Sequence, residues 1–338
     1  MPSGARWLVT GAAGFIGSHL VEALLRNGQQ VRAVDNFATG KRANIEEVRA
    51  SVGAEASSRL EFLEASVCDM AACESMVRGV DFVLHQAALG SVPRSIADPI
   101  RTFEANAAGF VKLLTAAKDA PVRRFVYASS SSVYGDHPAL PKIEGQEGSL
   151  LSPYAATKAA NELFANVYTR AYGMTCVGLR YFNVFGRRQD PDGAYAAVIP
   201  RWTASMLEGK MVQINGDGQT SRDFCHVDNA VQANLRAALS PALPSAHSVF
   251  NVAAGKQTTL LELFTTIRQA LLKVKPNLPD TEVVFAPYRD GDIRHSLADI
   301  SAASTFLGYA PARGVPDGLE EAIGWYLHRA GSILSSAN

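Results

Sequence analysis

The stretch Trp7-Leu8-Val9-Thr10-Gly11-Ala12-Ala13-Gly14-Phe15-Ile16-Gly17 leaves the chain few ways to fold. A short apolar strand runs into a glycine-rich turn, and a helical period follows with Leu20, Ala23 and Leu24 on one face. That helix ends near Asn27-Gly28, and Gln30–Asp35 reads as a second strand closing on an acid. Such a turn lets a pyrophosphate approach backbone N–H groups at a helix N-terminus, where a Cβ would obstruct it. Strand, turn, helix, strand and acid together predict a dinucleotide-binding βαβ unit, although the glycines run G-x-x-G-x-x-G rather than G-x-G-x-x-G. Cofactor contacts are expected from Gly11, Gly14, Phe15, Ile16, Gly17, Asp35 and Asn36. Asp35 can accept hydrogen bonds from a ribose and would repel a 2′-phosphate, which favours NAD over NADP. Arg32, Lys41 and Arg42 lie close by in sequence and pull the other way.

The pattern repeats. Leu60–Leu63, Asp81–His85, Arg124–Ala128 and Thr175–Arg180 read as further strands, with helices around Pro99–Lys118 and Pro153–Tyr172. Strands alternating with helices predict a doubly wound parallel sheet, whose ligands collect at the carboxyl ends of the strands. Gly11, Asp35, Ala87, Ser130 and Tyr181 fall there, as do Gln86 and Ala88, and Asp69 stands in the loop after the third strand. Residues 187–193 are polar and turn-rich, and the texture beyond them is more mixed. Helices are expected near Val198–Glu208, Asp228–Ala238, Thr259–Leu272 and Asp317–Ala330, and strands near Val212–Asn215 and Val249–Val252. The fold class is therefore α/β: a Rossmann-type doubly wound parallel sheet (1–186) with a smaller mixed α/β substrate domain (187–338), some segments of which return to the main sheet.

Ser152-Pro153-Tyr154-Ala155-Ala156-Thr157-Lys158 starts a helix, with Ser152 as N-cap and Pro153 in the first turn. Tyr154 and Lys158 emerge one turn apart on the same face. An ammonium beside a phenol, together with the helix N-terminus, favours the phenolate, a base able to work near neutral pH.

Composition narrows the function classes. Lys plus Arg equals Asp plus Glu at 32 each, so no basic excess points to nucleic acid or an anionic membrane. The 4 cysteines form no C-x-x-C, the 7 histidines are scattered, and no metal is expected. This usage fits a reduced, cytoplasmic setting. No segment approaches the ~20 apolar residues of a membrane span.

With the glycine turn, the serines and Tyr154/Lys158 in hand, the chain resembles the extended short-chain dehydrogenases/reductases. More narrowly it resembles the NAD-dependent nucleotide-sugar 4-epimerases. The motifs are T-G-A-A-G-F-I-G (10–17), D-N (35–36), H-Q-A-A (85–88), S-S-S-S-V-Y-G (129–135), S-P-Y-A-A-T-K (152–158), R-Y-F-N-V-F-G (180–186), R-D-F-C-H-V-D (222–228) and R-D-G-D (289–292). Their details look most like the bacterial UDP-N-acetylglucosamine 4-epimerases. The resemblance implies Ser130, Tyr154 and Lys158 as catalytic residues. The phenolate and Ser130 take the proton of the sugar 4-hydroxyl, NAD exchanges a hydride with that carbon, and a 4-keto sugar turns over between the two half-reactions. Lys158 steadies the phenolate and bonds the nicotinamide ribose. Related dehydratases carry Asp-Glu after the hydroxyl residue, and related decarboxylases a glutamate. Here Ser131-Ser132 stand there, which argues for epimerisation.

The resemblance further implies that Asn183, Arg222 and Arg289 hold the substrate pyrophosphate and that Asp292 holds the uridine ribose. It implies backbone contacts to the uridine from Ala197 and Val198, and a supporting place for Asn106 near the catalytic tyrosine and the cofactor. Ser131 and Ser132 join Ser130 along the substrate. Ser296, seven residues after Arg289, takes a position that is tyrosine in members confined to plain glucose and galactose nucleotides. Serine there, with Gly90 and Ser91 opposite, leaves room for an acetamido group, so the expected pair is UDP-N-acetylglucosamine and UDP-N-acetylgalactosamine. Another UDP-sugar pair (glucose/galactose or the uronic acids), a sugar-nucleotide reductase or decarboxylase, and a non-catalytic NAD sensor are the competing readings. A homodimer is expected through Phe103, Phe110 and Leu114 on one helix and Ala155, Ala159, Leu163 and Tyr168 on the other.

Overall fold

In β1 (Arg6–Thr10) alternate side chains take opposite faces of the sheet: Trp7 and Val9 enter one apolar core and Leu8 the other. The same alternation in every central strand makes both faces apolar, as a parallel sheet covered by helices on both sides requires. The computed structural model describes residues 1–2, 4–120, 122–190, 197–288 and 293–336, the side chains of 329–336 excepted.

The elements follow in order. After β1 come α1 (Phe15–Arg26), β2 (Gln30–Asp35), α2 (Arg42–Ser57), β3 (Leu60–Glu64), α3 (Met70–Met76) and β4 (Phe82–His85). Next are α4 (Val92–Ala97), α5 (Pro99–Phe103), a wide π turn (Glu104–Ala108), α6 (Gly109–Lys118), β5 (Arg124–Ser130) and a 3₁₀ turn (Ser131–Tyr134). The chain continues with α7 (Pro153–Tyr172), β6 (Cys176–Tyr181), β7 (Val184–Phe185), α8 (Val198–Leu207), β8 (Val212–Asn215), β9 (Ser221–Arg222), β10 (Cys225–His226) and α9 (Val227–Leu239). It closes with β11 (His247–Val252), β12 (Thr258–Thr259), α10 (Leu260–Val274), β13 (Val283–Ala286), α11 (Ser301–Leu307) and α12 (Val315–Ser336).

Seven parallel strands form the sheet in the order β11-β6-β5-β4-β1-β2-β3. The order reverses between β1 and β4, and a crevice opens at the strand ends there. One face is covered by α1, α2 and α9 through Leu20, Leu24, Val48 and Ala233, the other by α3, α6 and α7 through Met76, Leu113 and Ala165. β11 joins the sheet from late in the chain by pairing with β6.

A separate apolar cluster holds the remaining elements together. Trp202 and Met206 of α8, Ile214 of β8, Leu263, Ile267 and Leu271 of α10 and Leu319 and Ile323 of α12 pack around one centre. Burying each such side chain contributes about 1.5–3 kcal/mol. This lobe is tied to the sheet by charge. Glu22 on α1 accepts from Arg188 (2.7 Å), Arg187 (3.0 Å) and Arg26 (3.0 Å), and Glu47 on α2 accepts from Arg188 (2.8 Å) and from the Trp325 indole (2.9 Å).

The helix expected over Pro99–Lys118 is three pieces, because the π turn widens it at Glu104–Ala108. Three of the residues expected on an outer face lie inward: Phe110 and Leu114 are fully buried against the sheet, and Ala155 in the first turn of α7 is buried as well. The exposed apolar face is made instead by Ile96, Ile100, Phe103, Leu163, Phe164 and Val167. An unbroken 3.6-residue period would put Phe103 and Phe110, seven residues apart, on one face; the π turn between them breaks that register, so Phe110 and Leu114 face the sheet and Phe103 faces out. Among the described residues no helix is long and apolar enough to cross a membrane.

Candidate active site

A cavity of about 630 Å³ opens along the carboxyl ends of β1, β2, β4, β5 and β6. Its first wall is the glycine turn. Gly11 has φ +66°, and a Cβ there would stand 2.7 Å from the backbone nitrogen of Ala87 on the neighbouring strand end. At Gly17 a Cβ would overlap the Gly11 carbonyl. The turn and the first turn of α1 thus press against each other, and only glycine fits both places. Gly14, Phe15 and Ile16 complete this wall.

Asp35 closes β2 beside it. Its carboxylate accepts from Ala13 N (2.9 Å) and Phe37 N (2.7 Å). Burial pushes its pKa above the ordinary value, and these amide bonds work against that rise. Asn36 lies next along the wall, its side chain accepting from Ala38 N (3.1 Å). The cations that left the cofactor class open point elsewhere. Arg32 donates to Glu61 (2.9 Å) and to the Met76 and Arg78 carbonyls (2.9 Å each), Arg42 pairs with Glu64 (2.5 Å), and Lys41 with Asp190 (2.7 Å). A carboxylate at the strand end with its neighbouring cations engaged suits a free ribose diol, so the residues fit NAD.

Ala65-Ser66-Val67-Cys68, with Arg101, Glu104 and Ala105 across from them, form a stretch of wall that sequence reasoning missed. Asp69, expected on the cofactor, lies just beyond it and caps α3 by accepting from Ala71 N (2.9 Å) and Ala72 N (3.3 Å). Gln86, Ala87 and Ala88 line the floor. Gln86 accepts from the Tyr181 hydroxyl (3.0 Å) and donates to Asn234 (3.0 Å), which donates in turn to Tyr181 (2.8 Å). This triangle holds the Tyr181 ring on the cavity side.

The residues expected to carry the chemistry sit where α7 meets β5. Ser152 caps α7 by accepting from Ala155 N (3.2 Å), which sets Tyr154 in the first turn. Ser130, Tyr154 and Lys158 all line the cavity. The Ser130 hydroxyl stands beside the Tyr154 phenol, where it works to lower the phenol's pKa, and accepts from Ser132 N (3.2 Å). Lys158 donates to the Ala128 carbonyl (2.8 Å), and its ammonium lies 5.8 Å from the Tyr154 ring centre. Burial lowers the Lys158 pKa to about 8, with the Glu162 charge opposing the fall.

The expectation of a phenol lowered by its lysine needs correction. Burial holds the Tyr154 phenol above its ordinary value, and only the Ser130 hydroxyl works the other way. The ammonium is spent on a carbonyl, so in the protein alone desolvation wins.

Other predicted residues are distributed as follows. Asn106 does not reach the cavity. Inside the π turn it donates to Leu89 O (3.2 Å) and Thr157 (3.4 Å) and accepts from Leu89 N (2.7 Å), bracing the loop after β4 against α7 between Tyr154 and Lys158. Ser131 and Ser132 belong to the 3₁₀ turn and stand behind Ser130. Gly90 and Ser91 line the cavity, and Ser91 also caps α4. Asn183, at φ +36°, lines it too and donates to Asp223 O (3.1 Å) and Ser296 (3.5 Å). Ser296 is therefore one residue removed from the wall, its amide held by Ser221 O (3.1 Å).

Ala197, the N-cap of α8, borders an adjoining space of about 330 Å³ shared with Lys41, Arg94 and Arg188. Val198 turns towards the lobe core. Arg222 lies at the edge of the lobe on β9, donating to Ser221 O and Arg294 O (3.0 Å each). Arg289 and Asp292 lie outside the described residues. Among the described residues, His226, Asp228 and Glu321 bring potential metal-ligand atoms within 4.8 Å of one another, but Arg313 bridges both acids at 2.8 Å.

Comparison with known proteins agrees with this geometry. The sequence pattern of the NAD dependent epimerase/dehydratase family matches residues 7–253. A UDP-glucose 4-epimerase of Mycolicibacterium smegmatis is 37% identical over 327 residues, covering 96% of this chain and 99% of its own. The solved UDP-N-acetylglucosamine 4-epimerase from Methanobrevibacter ruminantium M1, in complex with UDP-N-acetylmuramic acid, superposes with a TM-score of 0.87 at 36% identity, covering 97% of this chain and all (100%) of that one. The UDP-glucuronic acid 4-epimerase from Bacillus cereus, solved with UDP-glucuronic acid and NAD, gives 0.83 at 32% identity, over 96% and 99% of the two chains. A crevice shaped for NAD, a Ser/Tyr/Lys group at its inner end and these similarities make the chain a member of the NAD-dependent epimerase/dehydratase family.

Proposed function

We infer that this protein is an NAD-dependent UDP-sugar 4-epimerase, and that its substrate pair is UDP-N-acetylglucosamine and UDP-N-acetylgalactosamine. The observation that carries the reaction class is the composition of the reactive end. Ser130, Tyr154 and Lys158 meet there, while the carboxylates among the described lining residues are Asp35 and Glu104. Elimination of water or loss of CO₂ would call for an acid beside the sugar, and Ser131-Ser132 stand where related enzymes carry one. Redox at a single carbon with return to the opposite face needs only a base, its hydroxyl partner and the cofactor.

The chain's part in the chemistry follows from its geometry. Tyr154 takes the proton of the sugar 4-hydroxyl and gives it back after the ring has turned over. Ser130, beside the phenol on the cavity wall, holds that hydroxyl in line. Lys158, anchored on the Ala128 carbonyl, keeps its charge beside the phenol oxygen and the nicotinamide ribose. NAD, held by the turn at Gly11, Gly14 and Gly17 and by Asp35, would supply a hydride acceptor for the sugar C4 and a positive charge beside the phenol. Because the reaction is redox-neutral, NAD stays with the protein.

The acetamido preference rests on Ser296, reached from the cavity through Asn183, and on small Gly90 and Ser91. The uronic acid pair is the second reading, favoured by Lys41, Arg94 and Arg188 around the adjoining space. Of these, Lys41 is paired with Asp190, and Arg188 with Glu22 and Glu47. The exposed apolar face of α4, α5 and α7 fits a two-fold helical interface, and the protein is proposed to be a homodimer. The test is to incubate the pure protein, without added NAD, with UDP-N-acetylglucosamine, UDP-glucose or UDP-glucuronic acid and follow the anomeric signals by NMR. The galacto product should form fastest from the acetylated sugar. Faster turnover of either other sugar overturns the specificity, and no turnover of any overturns the activity.

A further inference from the structure

Three consecutive residues of β5 are tied to one face of α7. Ser130 stands beside the Tyr154 phenol, Ala128 accepts from Lys158, and Ser129 donates to Glu162 Oε1 at 2.5 Å. Tyr154, Lys158 and Glu162 stand at i, i+4 and i+8, a single stripe along the helix. The third link has no part in the reaction as derived above. Glu162 also accepts from Arg180, Nε to Oε1 at 3.0 Å and Nη2 to Oε2 at 2.7 Å. Arg180 is the register partner of Ser129 on the adjacent strand β6. Its guanidinium is shared with Glu147 (2.5 Å) and lies over the Tyr134 ring (4.8 Å). The Arg180–Glu162 pair is nearly dry: the Arg180 side chain is 5% exposed and that of Glu162 13%, while Glu147 is 32% exposed.

We propose that Glu162 is a positioning residue for the reaction: with Ser129 and Arg180 it clamps the end of β5 against α7 and thereby sets the spacing of Ser130, Tyr154 and Lys158. Rotating Ser129 out of the clamp would carry Ala128 and Ser130 with it, since they are its chain neighbours. Both reactive contacts would shift together. The clamp also carries charge. Two carboxylates share one guanidinium, and Glu162 is the one whose charge reaches Lys158. The groups facing Glu162 are Arg180 on β6, Tyr127 on β5, His247 on β11 and Lys158 on its own helix. Those facing Lys158 are Tyr154, Glu162 and His85 of β4, and His85 is kept neutral by burial. Burial pushes the ammonium towards its neutral form, and Glu162 is the group that opposes this. Without that charge the ammonium is lost at a lower pH.

The clamp matters only if Ser130, Tyr154 and Lys158 carry the epimerisation, the reading on which it rests, so Tyr154→Phe is assayed in parallel to test that reading separately. The decisive variants are Glu162→Gln, Glu162→Asp and Ser129→Ala, each purified with its bound NAD and measured from pH 6 to 10 on the wild-type's best substrate. Glu162→Gln should lose roughly tenfold or more in kcat with KM nearly unchanged, the usual scale for a misplaced catalytic group. Its alkaline limb should move about one unit to lower pH. Glu162→Asp should keep the limb and lose kcat, and Ser129→Ala should do the same. A folded, NAD-loaded Glu162→Gln with wild-type kcat and limb overturns the proposal. If Glu162→Gln fails to fold or to hold NAD, Ser129→Ala decides: reduced kcat at constant KM supports the clamp, and wild-type kcat overturns it.

Discussion

The two sides of the cavity are built by different means. On the nucleotide side the wall is mostly backbone and the smallest residues: Gly11, Gly14, Gly17, Ala65, Ala87 and Ala88. The shape there is set by chain packing itself, since a Cβ at Gly11 would run into the Ala87 backbone. On the lobe side the contacts are side chains carried on short pieces. Asn183 lines the cavity from this side and rests on Ser296, one residue behind the wall, which is held by its amide bond to Ser221 and by the Asp223 amide; Arg222, at the lobe edge, belongs to a strand of 2 residues. Backbone-built walls cannot be retuned one residue at a time, whereas a wall of side chains on short supports can. Changes on the nucleotide side should therefore strike every substrate alike, and changes on the lobe side should separate one substrate from another.

The largest expected effect lies at the junction of the two sides. Tyr154→Phe should cut kcat by ~10²–10⁴-fold, the range typical of a lost general base. It should do so equally for acetylated, plain and acidic sugars, with substrate affinity nearly kept. A variant whose loss depends strongly on the sugar would place Tyr154 on the lobe side of the comparison. Ser296→Tyr is the converse case. Filling the space beside Asn183 should abolish turnover of UDP-N-acetylglucosamine while plain UDP-galactose is still converted. A missing or added contact at such a site typically changes discrimination by about 10–200-fold. Equal activity on both pairs would mean that Ser296 does not set the pocket.

The charged seam between the sides gives a third test. Arg188 is fully buried at its side chain and bound to Glu22 and Glu47. Removing one partner of such a pair costs roughly 3–5 kcal/mol. Arg188→Ala should fall at the lower end, because Arg187 and Arg26 still reach Glu22. Calorimetry should show it as a lower melting temperature, and an unchanged one would say that the lobe holds to the sheet without this seam. The seam also predicts a pH effect. Burial pushes the Glu22 carboxyl up, but Arg188 and Arg187 overturn this and bring it down to about 2 from 4.5. A depressed acid stabilises the fold above its unfolded pKa and loses that contribution as pH falls towards its folded one. Wild-type stability should thus decline between about pH 5 and 2 in part through this group. That part of the decline should vanish in Glu22→Gln, and an identical acid profile in the two proteins would remove Glu22 from the account.

The smallest expected effect on chemistry comes from a place remote from both walls. Leu163 is 68% exposed on α7 among Ile100, Phe103 and Val167. Leu163→Glu should convert the proposed dimer to a monomer by light scattering while kcat changes little. A wild-type protein that is already monomeric at micromolar concentration would end the dimer proposal.

Much of the nucleotide side was legible because its constraints are local. The central strands and α7 follow from period and caps: Ser152 and Pro153 open α7 and it runs to Tyr172, as the sequence indicates. Where period was weak, elements were missed. Helix α2 is polar, is broken at Gly53 (φ +81°), and buries only Asn44, Ile45 and Val48. Short α3, α4 and α11 and strand β13 carry too few residues for a period to show. The cavity wall at Ala65–Cys68 had no signal in residue type, being defined only by which loop lies across from α5. The seam was invisible for a different reason: Arg188 meets Glu47 and Glu22 across 141 and 166 residues of chain.

What the amino-acid sequence determined by itself is the set of local commitments: a glycine turn that only a phosphate-binding βαβ unit explains, an acid ending β2, hydroxyls ending β5, and a capped helix presenting Tyr154 and Lys158 on one stripe. Each rests on residues within a turn or two of one another, where covalent geometry leaves little choice. Tertiary structure alone decided how those commitments act on each other. It spent the Lys158 ammonium on the Ala128 carbonyl, left burial to raise the Tyr154 phenol, placed Glu162 between Ser129 and Arg180, and turned Phe110 and Leu114 inward. Desolvation and through-space charge depend on everything that surrounds a group, and what surrounds it comes from strands and helices far apart in the chain.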